Sequence, residues 1–167
     1  MYKQHLQNAI VKEMEICKRL YTKIPTDKMD FRPKEDTRSV FELLQYLSFG
    51  GTAMLNYWLN EEDANFGTFW GGLTTAAQQM EKEQFLPLMD KQIEMINNLF
   101  DQINEEDLHQ KEVSYPWGVK APLGEAIIST SVKWLAAYKL QLFLYLKMCT
   151  DQKLGTADAW VLTDLTM

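Results

Sequence analysis

Residues 129–147, STSVKWLAAYKLQLFLYLK, constrain the fold more than any other part of the chain. They contain no proline or glycine, and apolar side chains fall on almost every side of a helix drawn through them. A helix of that kind is either central in its domain or covered by a second chain. At about 100° per residue, Thr130, Trp134, Tyr138, Gln141 and Tyr145 lie within about 80° of one another, and Lys133, Lys139 and Lys147 lie on the other side. The aromatic line is therefore expected to face the interior. Leu140, Phe143 and Leu144 sit among the lysines, and this second apolar side predicts a homodimer joined by symmetric helix packing.

Three more helical patterns precede it. From residue 2 to 21, Leu6, Ile10, Met14, Cys17, Leu20 and Tyr21 recur at the spacing of a one-sided amphipathic helix. A loop with Pro25 and Pro33 follows, and Ser39 with Glu42 three residues on has the form of a capping box, which starts a second helix over 40–59. The segment NEEDANFGTFWGGLTT holds Gly67, Gly71 and Gly72, and it reads as a loop carrying Phe66, Phe69 and Trp70. Thr75 is then expected to cap a third helix over 76–103, with Pro87 marking its first regular turn or a kink. After a polar stretch with a turn-like middle near 115–119, the fourth helix runs over 123–149, and 150–167 form a tail anchored by Trp160. Four helices without an alternating strand predict an all-α chain. The expected architecture is a four-helix bundle in one domain, residues 1–167, with loops long enough for a crossover connection.

Composition narrows the partners. Seventeen basic and 23 acidic residues give a net charge of −6, with no Lys/Arg stripe able to neutralise phosphates, so nucleic acid is not expected. The charged start lacks the apolar block of a secretory signal, and no run approaches the roughly 20 apolar residues of a membrane span. A cytoplasmic protein with no membrane partner is the resulting expectation. Cys17 and Cys149 form no CxxC pair and read as free thiols.

The last helix resembles that of the DinB-like (DinB/YfiT) superfamily, in which a segment HxxxHRxQLxxYLR follows a GEA-type helix start. Here Trp134, Tyr138, Lys139, Gln141, Leu142, Tyr145 and Lys147 occupy the pattern, after Gly124, Glu125 and Ala126. SVFELLQYL resembles that family's T-x-x-ELLxHL segment, with Tyr46 at the histidine. The resemblance implies the family's bundle fold. It also implies a place for a divalent metal, because in typical members one histidine of the second helix and an i, i+4 pair of the last helix bind one. This chain has Tyr46, Trp134 and Tyr138 at those positions. Indole offers no lone pair, and a phenol with a pKa near 10 is a poor ligand at neutral pH. His5 and His109 have no partner at ligand spacing, so no metal or other cofactor is expected.

What remains is a non-catalytic module that either binds a small molecule in a pocket or is structural, its former site a filled core. Tyr46, Trp134 and Tyr138, with Gln141, Glu42 and Trp70, are the pocket candidates for a small, mostly apolar ligand with one polar end. Trp70 and Phe69 either cover its mouth or pack over the bundle end, and Glu42 is already explained by its cap. Relatives that are metal- or thiol-dependent transferases or hydrolases supply the alternative function. The chain has no Gly-x-Ser-x-Gly elbow, phosphate loop, paired acidic motif or Cys–His pair, and no catalytic residue is assigned.

Overall fold

Helix α1 (Tyr2–Tyr21) buries Leu6, Ile10, Met14, Cys17 and Leu20 along one face. In this computed structural model, which describes residues 2–162, its first amides are taken up from a distance: Glu105 accepts from Tyr2 N at 2.6 Å and Lys3 N at 3.2 Å. A helix start leaves such donors without partners in the helix itself.

The capping box is formed at the start of α2 (Val40–Gly50): Ser39 Oγ accepts from Glu42 N at 3.1 Å, and Glu42 Oε2 accepts from Ser39 N at 2.9 Å. The helix expected over 40–59 is interrupted, however, and resumes as α3 (Ala53–Asn60). Gly51 lies at the break because a Cβ there would come 2.4 Å from Met14 Cε. The buried side chain of Gln92 repairs the interruption, accepting from Gly51 N at 3.2 Å and donating to Leu47 O at 2.8 Å. Burying those groups unpaired would cost about 1–3 kcal/mol each.

The glycine-rich segment is not a loop. It forms α4 (Phe66–Gln78), started by Asn65, whose side chain accepts from Thr68 N at 3.0 Å; Thr75 lies inside the helix and caps nothing. Glycine disfavours a helix by about 1 kcal/mol but does not forbid it, and Gly67, Gly71 and Gly72 all keep negative φ. Helix α5 (Phe85–Asp101) accordingly begins later than the expected 76, with Pro87 in its first turn, where the missing amide is harmless. After α6 (Asp107–Gln110), strands β1 (Glu112–Ser114) and β2 (Lys120–Pro122) form a hairpin. Its tip needs Gly118 at φ 87°. Short α7 (Leu123–Ile127) passes through a π turn at Ile128–Val132 into α8 (Lys133–Cys149), so the helix expected over 123–149 is continuous but not uniform.

The chain is mostly helical. Helices α1 and α2 each pack against both α5 and α8, closing a ring of four around one contiguous buried cluster, while α4 lies outside it against α2. The face of α8 that meets this core carries Leu135, Leu142 and Leu146; Trp134, Tyr138 and Gln141 are only half-buried beside it. Lys139, expected on the outer side, is 2% exposed, because Glu13 of α1 supplies an opposite charge 2.6 Å from its Nζ. The alignment of this ion pair falls short of a hydrogen bond and leaves Glu13 Oε2 without one.

A short helix, α9 (Thr156–Trp160), covers part of the outer side of α8. Asp158 pairs with Lys23 at 3.1 Å and Arg19 at 3.7 Å, and the Trp160 ring meets Phe143 edge-on at 5.9 Å. Trp160 remains 45% exposed; the buried anchors of the tail are Leu154 and Ala159. No helix among the described residues is long and apolar enough to cross a membrane.

Glu13→Ala leaves the Lys139 ammonium buried without its counter-charge and is expected to destabilise the chain by about 3 kcal/mol. The double variant Glu13→Leu/Lys139→Met removes both charges and is expected to recover most of that loss in urea unfolding. A double variant as unstable as Glu13→Ala would show that the pair is not what limits stability there.

Candidate aromatic pocket

One side of α2 presents Glu42, Gln45, Tyr46 and Phe49 at helical spacing, and α4 presents Trp70, Thr74, Ala77 and Gln78 toward it. With Arg38, which precedes the α2 cap, these residues line a cavity of about 420 Å³. Its floor is aromatic: the Tyr46 ring lies 4.5 Å from that of Tyr138 on α8, 5.4 Å from Phe49 and 6.3 Å from Trp70. Trp70 in turn meets Phe49 at 5.4 Å and Trp134 at 6.0 Å, both edge-on. Edge-to-face and tilted contacts of this kind suit the ring quadrupoles and rigidify the cluster.

Of the residues singled out from sequence, Tyr46, Tyr138, Trp70 and Trp134 thus come together. Trp134 stands behind Trp70, and Tyr138 behind Tyr46, rather than on the cavity wall. Glu42 reaches the wall, but its carboxylate is held by Arg32 through two contacts of 2.6 and 2.7 Å as well as by the Ser39 amide. The Arg32 guanidinium, followed by that amide, holds the Glu42 carboxyl below its ordinary pKa. Gln141 does not join the cavity; it donates to Tyr145 Oη at 2.6 Å, and the Tyr145 ring meets Phe31 edge-on. Phe69 packs on Tyr57 and Phe66 at the far end of α4 and lines a second, smaller cavity of about 280 Å³ between α4 and α5.

Arg38, Gln45, Phe49, Thr74, Ala77 and Gln78 were not singled out by the sequence. Reading 66–78 as a helix would have found the last three, since Trp70, Thr74, Ala77 and Gln78 then fall on one face. Arg38 is the least visible of the six. Its guanidinium carbon lies 4.9 Å over the Tyr46 ring and 5.6 Å from the Tyr138 ring, a double cation–π contact.

The chemistry of this cluster does not suit a metal ion. Burial raises the Tyr46 phenol above its ordinary pKa, neighbouring Tyr138 pushes the same way, and the Arg38 charge only partly opposes them. A phenol held neutral makes a poor ligand for a divalent ion and a poor general base. The donor set at the three family positions therefore does not fit the metal that the resemblance implies. Among the described residues, no group of three His, Cys, Asp or Glu side chains is arranged to hold an ion.

In comparisons with known proteins, the chain matches no family profile, no curated protein and no solved structure.

The raised Tyr46 pKa makes stability depend on pH. The folded phenol binds its proton more tightly than the unfolded one, so its contribution is complete below pH about 10 and is lost as pH rises further. Tyr46→Phe is expected to flatten this alkaline decline while changing stability at pH 7 by less than about 1 kcal/mol. An unchanged alkaline slope, measured by urea unfolding between pH 8 and 11, would contradict the burial of that hydroxyl.

Proposed function

We propose that the chain is a four-helix bundle of the DinB/YfiT type, in one domain, whose metal site has given way to aromatic rings, and that it binds a small molecule without catalysing a reaction. One observation carries this reading: at the positions of the family's ligands the Tyr46 and Tyr138 rings meet, with Trp134 joined to them through Trp70, and the Tyr46 ring forms the floor of an open cavity. A volume of about 420 Å³ falls within the range of small-ligand sites. The wall combines rings with hydroxyl, amide and charged groups, which suits a mostly apolar molecule with one polar end.

We also place the chain in the cytoplasm, a reading that the free thiols of Cys17 and Cys149 support. Homodimerisation is part of the same proposal. Phe143 is covered by Trp160 within the chain, but Leu140, Leu144 and Met148 are spaced four apart on α8 and remain exposed. That line is the face we assign to the second copy.

Two measurements test these readings. Elemental analysis of protein purified without chelator is expected to find no stoichiometric divalent ion, and EDTA should leave the melting temperature unchanged. An ion at one equivalent that disappears in Tyr46→Phe would favour the metal-dependent transferase instead. In light scattering the molar mass is expected to be twice that of the chain, and Leu144→Lys is expected to halve it. A monomeric wild type would remove the dimer.

A further inference from the structure

Among the described residues that line the cavity, Arg38 is the charged donor whose hydrogen bonds are uncommitted. Arg32, close by, spends its guanidinium on Glu42 and on Thr37 O. Arg38 lies over two ring faces and its charge reaches the Glu42 carboxylate, but among the described residues it has neither an ion pair nor a hydrogen bond. Stacking on two rings restrains the fork while leaving its N–H edges open, and such an edge matches a carboxylate bidentately.

The rest of the wall sharpens the match. The Gln45 amide donates to Gln78 O at 3.3 Å, and the Thr74 hydroxyl donates to Trp70 O at 3.0 Å, so these donors are already engaged. Phe49, Trp70 and Ala77 give the same cavity apolar surface. The Glu42 carboxylate also borders the cavity. Its charge is offset by Arg32, yet it would repel a dianion brought beside it.

We propose that this cavity binds a small organic acid, with a single carboxylate on the Arg38 guanidinium and an apolar body against Phe49 and Trp70. The inference rests on the small-molecule reading above and adds the chemical class of the ligand. The nearby Glu42 carboxylate disfavours a multiply charged phosphate. A neutral molecule leaves the Arg38 fork unmatched.

The indole N–H resonances of ¹⁵N-labelled protein report on the five tryptophans separately, and Trp70→Phe assigns the one at the cavity. Titration with benzoate is expected to move the Trp70 resonance to saturation, with benzamide binding roughly tenfold more weakly. Inorganic phosphate at the same concentrations is expected to leave it in place. Arg38→Gln should bring benzoate to the level of benzamide, whereas Arg38→Lys keeps part of the preference; dispersed spectra verify that both variants are folded. If benzamide binds as well as benzoate, or phosphate moves Trp70 equally, the carboxylate assignment fails and the pocket reading stands. If neither organic probe moves Trp70, both fail.

Discussion

Helix α8 has more apolar surface than a single neighbour can cover, and the arrangement of the other helices follows from that. Its leucine line meets the core formed with α1 and α2, and its outer flank is partly closed by α9. What remains is the aromatic edge, Trp134 and Tyr138, turned about a quarter circle from the core line. Neither ring can be left fully in water or fully buried, since the first wastes apolar area and the second strands the Trp134 indole N–H or the Tyr138 hydroxyl. Tyr46 on α2 and Trp70 on α4 meet that edge, and the cavity lies where α4 spans the gap without filling it.

Helix α4 is suited to such a place. It lies outside the ring of four, only Ala77 among its residues is fully buried, and it carries three glycines that weaken it. Cavities lie on both of its sides, sharing Phe49 and Ala77 as the wall between them. The opposite holds at the break between α2 and α3. There Gln92 satisfies buried backbone groups, and Gly51 lets α2 approach α1 and α8 closely, so that junction is fixed by packing. The α2 side of the cavity is thus packed into the core, while the α4 side is lightly packed.

How much of this was legible in the sequence depended on distance along the chain. The Ser39–Glu42 box was readable because both partners lie within four residues, and α1 because its periodicity is unbroken. Tyr46, Trp134 and Tyr138 were found by position within a resembled pattern, and Trp70 by its place among glycines. Helix α4 is hard to see in the sequence because its three glycines mask the Asn65 cap and the helical spacing of Trp70, Thr74 and Ala77. Lys139 was misplaced for a different reason: its burial depends on Glu13, a residue of another helix, and no local rule reveals that pairing. Arg38 was overlooked because an exposed arginine beside a cap has nothing unusual about it until two rings are seen beneath its guanidinium.

A crystal structure of the protein grown with benzoate tests the central claim most directly. The account predicts the benzoate ring packed against Phe49 and Trp70, with both carboxylate oxygens within hydrogen-bonding distance of Arg38. A cavity closed over by Trp70, or benzoate bound elsewhere while Arg38 stays on the tyrosine rings alone, would contradict it.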